Sequence, residues 1–158
     1  MEFQLSKFLP YKEAILAKAA GDLKTARINF ARCLEAGREA GGAPMISGLL
    51  FRLGDVEALD GQRELAIQLY EEAMQADPGS PLALISYAES LYSALDEPIL
   101  ALEKLEAAEL LLSPGWIPSA DDISLEGYKY LIAKVRAQIA GSPTGALILP
   151  LRRGSPAS

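Results

Sequence analysis

Apolar residues recur at helical spacing along almost the whole chain, and this periodicity restricts the fold more than any other feature of the sequence. Between residues 3 and 140 they stand three or four positions apart, whereas a strand would place them two apart. In residues 62–76, for example, Leu65, Leu69 and Tyr70 share one side of a helix, and Glu64 and Glu71 occupy the other. The pattern predicts an all-α protein.

Turn and cap residues interrupt this periodicity at six places and divide the chain into seven predicted helices. The interruptions stand at residues 21–22, 41–44, 60–61, 77–81, 96–98 and 113–115, which are rich in Gly, Pro, Asp and Ser. Pro81 and Pro98 are expected at helix starts, where a missing backbone N–H costs little, and Ser80 is expected to cap the helix that follows it.

A pattern of small and large residues returns in three of the predicted helices. It reads small-x3-large-x2-small, in copies 40 and 35 residues apart: Ala26, Phe30 and Cys33; Ala66, Tyr70 and Ala73; Ala101, Leu105 and Ala108. Small residues are needed where two helix backbones approach closely, and large ones fill the space beside them. The pattern therefore predicts paired helices with these positions buried and the Cys33 thiol inert.

Further residues around these copies complete a known pattern. Leu50, Leu53-Gly54 and Gly61 precede the second copy, Asp77-Pro78 follows it, and the third copy ends at Ser113-Pro114. This resembles the tetratricopeptide repeat. Two positions depart from the family pattern, because Leu50 stands where the family has Trp and Glu57 where it prefers Tyr.

The resemblance implies a TPR-like α-solenoid, a right-handed superhelix of three helix pairs with a C-terminal capping helix. The repeats are expected at about residues 8–41, 45–79 and 81–114, and the capping helix at about 121–140, all in one domain spanning residues 1–140. Trp116 is expected to hold the loop before the capping helix. Residues 141–158 are expected to form a flexible tail, or to dock through the apolar run 146–151.

In the tetratricopeptide family, the first helix of each pair lines a concave groove that binds a peptide or helix of another protein. Nine positions of this chain correspond to that groove: Tyr11, Ile15, Lys18, Phe51, Arg52, Asp55, Ile85, Glu89 and Tyr92. The four large ones, Tyr11, Phe51, Ile85 and Tyr92, are predicted to supply most of the affinity, unless the capping helix or the tail covers them. The family's clamp of Asn, Lys and Arg for a C-terminal carboxylate is absent from these positions.

Composition argues against several other classes of function. The chain has no His and one Cys, so His-based catalysis and most metal sites are excluded; we expect no catalytic residue, no metal and no cofactor. A net charge of -6 argues against nucleic-acid binding. Apolar runs are too short or too interrupted by Pro and Gly for a signal peptide or a bilayer span, so we expect a cytoplasmic protein without membrane insertion.

Charge is distributed unevenly along the chain. Residues 1–38 carry seven Lys and Arg against four Asp and Glu, whereas residues 53–126 carry two against sixteen. Solvated helix faces are the expected explanation. Lys24, Arg27 and Arg38, for instance, fall within a narrow arc of the second predicted helix and are expected on an exposed face.

The sequence thus favours an adaptor or scaffold module that binds a peptide or helix of another protein, and it leaves two alternatives open. Size, acidity and repeat number resemble the small cytosolic chaperones of bacterial secretion systems. The other alternative is a self-associating structural subunit, a homo-oligomer in which the basic ends meet the acidic centre or the run 146–151 docks on a neighbouring copy. An enzyme is disfavoured, because no cluster of nucleophilic residues can be assembled.

Overall fold

We describe residues 3–117 and 123–142 of a computed structural model of the chain. These residues form seven α-helices and one short 3₁₀ helix, Leu5–Lys7, without a strand, so the predicted all-α class is confirmed. The α-helices are α1 (Leu9–Ala19), α2 (Leu23–Ala40), α3 (Ala43–Leu59), α4 (Arg63–Ala76), α5 (Pro81–Ser93), α6 (Pro98–Leu111) and α7 (Leu125–Ala140).

The connections after α1 and α3 have the same geometry. Each helix ends one residue before a Ccap residue, which a glycine follows with positive φ: Gly21 at 81° and Gly61 at 77°. The next backbone N–H donates to a carbonyl five residues back, Asp22 to Ala17 and Gln62 to Glu57, both at 2.8 Å. This is the Schellman arrangement, and it requires glycine because other residues are strained in the left-handed region.

Helix starts follow the predicted cap chemistry. Ser80 accepts a hydrogen bond from the backbone N–H of Ala83, and Pro81 and Pro98 begin α5 and α6. Asp22 caps α2 through the backbone N–H of Thr25. Hydrogen bonds from the side chain and the backbone of Thr25 lower the pKa of the Asp22 carboxyl. Ser124 caps α7, so this helix begins at Leu125, and the expected start near 121 lies outside the described residues.

The chain divides into two compact units, Met1–Pro78 and Gly79–Ser158. In the first unit α1 packs on α2, α2 on α3, and α3 on α4. In the second, α5 packs on α6, and α7 contacts both. Trp116 lies edge-on to Tyr128 of α7, with ring centroids 5.5 Å apart, which agrees with its expected role beside the loop. The expected tail falls outside the described residues from position 143 onward.

The repeating small and large positions lie in the cores of the two units. All nine residues of the three copies have 0% exposed surface: Ala26, Phe30, Cys33, Ala66, Tyr70, Ala73, Ala101, Leu105 and Ala108. At Gly54 a methyl group would overlap the ring of Tyr70 and lie 3.2 Å from the carbonyl oxygen of Ala66. The predicted burial of the pattern is thus confirmed, and Gly54 stands at a close approach of α3 and α4.

Ion pairs join the basic early helices to the acidic ones that follow. Arg27 of α2 donates to both Glu57 oxygens of α3 and to Asp60, and Arg38 donates to Glu72 of α4. Glu57 is 6% exposed, and its hydrogen bond raises the pKa of the Arg27 guanidinium. The expectation of a purely solvated face is therefore wrong for Arg27, because a buried carboxylate on α3 requires a cation opposite it.

Within the described ranges, no helix is both long enough and apolar enough to cross a membrane.

Candidate binding surfaces

Four of the nine predicted groove residues come together between α1 and α3. The guanidinium carbon of Arg52 lies 5.8 Å from the centroid of the Tyr11 ring, a cation–π distance. Seven residues after Tyr11 on α1 and three residues after Arg52 on α3, Lys18 Nζ lies 3.7 Å from Asp55 Oδ2. These two contacts bring α1 and α3 side by side. The repeat pattern predicted these residues on corresponding faces of two first helices, and in the structure the residues of α1 contact those of α3.

Asp55 is fixed from a second direction. Its other carboxylate oxygen accepts a hydrogen bond of 2.7 Å from the hydroxyl of Tyr70, whose ring is fully buried. The Asp55 side chain keeps 15% of its surface exposed, and Lys18 keeps 27%. The carboxylate therefore stands at the border between the core of the first unit and its surface, with two partners that orient it.

Ile15 lies on α1 between Tyr11 and Lys18 at helical spacing and is 38% exposed. Tyr11 is half-buried, because its ring also packs edge-on against Phe30 at 6.5 Å. We call this set the α1–α3 cluster: Tyr11, Ile15, Lys18, Arg52 and Asp55. It combines an exposed aliphatic side chain, an aromatic ring, two cations and one oriented carboxylate on neighbouring helices.

Phe51 and Ile85 do not have the predicted exposure. Each keeps only 3% of its surface, so the expectation that they line an open apolar surface is wrong. Phe51 packs against the Tyr70 ring, with centroids 5.9 Å apart, and thereby belongs to the core between α3 and α4. Ile85 lies on α5, which packs against both α6 and α7, and a helix with two neighbours buries a wider arc than a single pairing requires.

The remaining two predicted residues also belong to α5 in the second unit. Glu89 is exposed, and Tyr92 is half-buried. Of the nine predicted positions, five thus lie in the α1–α3 cluster, one lies in the core of the first unit, and three lie on α5.

A groove that the sequence did not predict lies between α6 and α7. It has a volume of about 830 Å³, and its described lining comes from α6, the residue that follows α6, and α7: Leu102, Glu106, Glu109, Leu112, Lys129, Ile132, Ala133, Arg136, Ala137 and Ala140. Arg136 and Glu109 form an ion pair across it. We call it the α6–α7 groove. The sequence offered no direct signal for it, because the additional apolar residues of α6, Ile99, Leu100, Leu110 and Leu111, are exposed and are not part of its described lining.

Metal ligands and nucleophiles are few among the described residues. In the described parts of the chain, His, Cys, Asp and Glu nowhere gather in a group of three that could hold a metal ion. The one thiol, on Cys33, has no exposed surface, and burial raises its pKa to about 11. The charged groups of the α1–α3 cluster have partners in the same chain: Lys18 and Tyr70 for Asp55, and the Tyr11 ring for Arg52.

No match to this chain was found among protein-family models, curated proteins or solved structures.

Proposed function

We propose that the chain is a helical-repeat protein of the tetratricopeptide type that binds a segment of another protein on the α1–α3 cluster. The repeat arrangement is supported by the burial of all nine pattern residues. It is also supported by the two identical helix endings at Gly21 and Gly61, which are 40 residues apart like the first two copies of the pattern. Contacts from α1 to α3 and from α2 to α4 agree with side-by-side stacking of successive repeats in the first unit.

The observation that carries the binding function is the position of Arg52 over the Tyr11 ring, beside exposed Ile15. Tyr and Arg are enriched among residues that dominate binding energy, because they offer a large contact area together with oriented hydrogen-bond donors. An apolar side chain of the partner would pack against Ile15 and Tyr11, and a carboxylate next to it would bind the outer edge of the Arg52 guanidinium. The expected ligand is therefore a segment that carries an apolar anchor close to an acidic residue.

The test compares two isoleucines that receive the same substitution. Ile15→Glu places a charge in the cluster, and Ile28→Glu places one on α2, where Ile28 is 46% exposed. Wild type and both variants are used as bait in affinity capture from a lysate of the source organism, followed by quantitative mass spectrometry. We expect one protein to be lost at least about tenfold with Ile15→Glu and retained with Ile28→Glu, as for a hot-spot residue.

Lysine-reactive cross-linking then locates the captured protein. Lys12 stands next to Tyr11 on α1, Lys18 belongs to the cluster, and Lys24 on α2 serves as the matched lysine away from it. We expect cross-links from Lys12 or Lys18 and none from Lys24. A partner that binds Ile15→Glu as well as wild type, or that cross-links mainly to Lys24, would contradict the assignment of the cluster.

The absence of enzymatic activity, the cytoplasmic location and the two alternatives, a secretion chaperone and a self-associating subunit, stay predictions from sequence.

A further inference from the structure

The α6–α7 groove has an apolar floor with charged residues at its rim. Leu102 and Ile132 are each 3% exposed, and Ala133, Ala137 and Ala140 leave a shallow trough on the α7 side because their side chains are short. Glu106, Glu109, Lys129 and Arg136 complete the lining. A groove of about 830 Å³ between two helices of one unit is large enough for several side chains of a peptide.

An apolar segment of the same chain follows in sequence from one end of this apolar groove. The last residue of α7, Ala140, is part of the lining, and the described chain stops two residues later at Ser142. The sequence continues with Pro143, Thr144 and Gly145, then the apolar run ALILPL at 146–151, then Arg152 and Arg153. We propose that residues 146–151 occupy the α6–α7 groove of the same molecule.

The dimensions agree with this occupant. The groove extends along α7 from Ala140 back to Lys129, because both residues belong to its lining. At 1.5 Å per residue that distance is about 16 Å, and six extended residues span about 20 Å. The intervening Gly, Ser, Pro and Thr residues at 141–145 are those that favour a reversal of chain direction.

Charge and backbone chemistry also agree. The described residues of the second unit contain more Asp and Glu than Lys and Arg, whereas residues 143–158 contain Arg152 and Arg153 and no acidic residue. A segment laid in the groove from Ala140 towards Lys129 would bring both arginines to the end of α7 that carries Glu126. Pro150 has no N–H, which reduces by one the backbone donors that must find a partner in an apolar trough.

A covalently attached segment has an advantage over a separate copy. A short flexible connection of about five residues gives an effective concentration in the millimolar range, which exceeds the concentration of free chains in ordinary solutions. The same apolar run on a second molecule would therefore compete poorly for an accessible groove. For this reason we assign the occupant to the same molecule.

The experiment uses Trp116, the only tryptophan of the chain, as a short-range quencher at the far end of the groove. In the full chain with Cys33→Ala, a bimane fluorophore is attached through Gly154→Cys. We expect the emission to be at least about twofold weaker than in the same labelled protein with Trp116→Phe, because a docked tail holds the fluorophore near the indole. We also expect this difference to persist on dilution.

Two matched variants of the labelled chain test the apolar contact. Leu147→Asp with Leu149→Asp places charges in the run, and we expect the Trp116-dependent quenching to be lost. Thr144→Asp with Ser158→Asp adds the same charge outside the run, and we expect the quenching to be retained. Far-UV circular dichroism checks that the helices are intact in every variant.

Three results would overturn the proposal. Equal emission with and without Trp116→Phe would place the tail away from the groove. Quenching that disappears on dilution would make a second copy the occupant, as the self-associating alternative predicts. Quenching that survives Leu147→Asp with Leu149→Asp would mean that the apolar run is not what holds the tail.

Discussion

At the scale of single residues, the buried thiol of Cys33 shows how position controls reactivity. Cys33 has no exposed surface, and desolvation of the thiolate raises its pKa to about 11. The side chain fills a small position of the repeating pattern between α1, α2 and α3, so its thiol serves packing and is inaccessible to reagents in solution.

We therefore predict slow alkylation of Cys33 in the folded protein. At about pH 8, a thiol with a pKa near 11 is ionised to roughly one part in a thousand, whereas an unperturbed thiol is ionised to roughly a quarter. Iodoacetamide labelling followed by mass spectrometry is expected to be at least about a hundredfold slower in buffer than in concentrated urea. Equal rates in the two conditions would show that the thiol is accessible.

The structural role of Glu57 could not be predicted from the sequence. It was identified as a departure from the family pattern, which prefers Tyr there, but its role depends on Arg27, which lies 30 residues earlier. No local pattern links these two residues. The pairing follows only from the stacking of α2 against α3, which places the guanidinium opposite a carboxylate with 6% exposure. Removal of Arg27 would leave the Glu57 carboxylate buried without its cation, whereas Arg27 is 36% exposed and also pairs with Asp60.

At the scale of helices, α3 contains two glycines with opposite surroundings. A methyl group on Gly48 would meet no atom within 4 Å. On Gly54 it would lie 2.6 Å from Tyr70 Cδ1, and this ring is held by its hydroxyl hydrogen bond to Asp55 and by full burial. The ring therefore has no free space into which it can move.

We predict opposite effects of the same substitution at these two positions. Gly48→Ala is expected to raise the free energy of unfolding by up to about 1 kcal/mol, because alanine is the better helix former. Gly54→Ala is expected to lower it by about 1 to 3 kcal/mol, because overpacking outweighs the same gain in propensity. Urea unfolding followed by far-UV circular dichroism measures both. A stabilised Gly54→Ala variant would contradict the close approach of α3 and α4.

Helix positions were predictable because Gly, Pro, Asp and Ser act locally. Ser80-Pro81 and the glycines at 21 and 61 determine the ends of helices through their own backbone chemistry. Exposure was not predictable in the same way. Phe51 was assigned to an open face from its spacing, but its ring packs on Tyr70, 19 residues away in sequence. The α6–α7 groove likewise depends on how α7 lies against α6, which helical periodicity does not specify.

At the scale of the whole chain, the uneven charge distribution has a structural use. Among the described residues of the first unit, three cations of the basic N-terminal part pair with anions of the acidic part that follows: Lys18 with Asp55, Arg27 with Glu57 and Asp60, and Arg38 with Glu72. A dimer driven by the same asymmetry would need these cations to face the acidic residues of a second copy. Three of these cations, Lys18, Arg27 and Arg38, already form ion pairs within their own chain.

We therefore predict that the molecular mass in solution does not respond to salt. Raising the ionic strength from about 0.1 M to about 1 M shortens the screening length from about 10 Å to about 3 Å, which would dissociate an assembly held by opposite charges. Sedimentation equilibrium at both salt concentrations is expected to give the same mass. A mass twice that of the chain at low salt that falls to the chain mass at high salt would restore the charge-driven assembly. It would then place the contact on exposed cations of α2, such as Lys24 or Arg32.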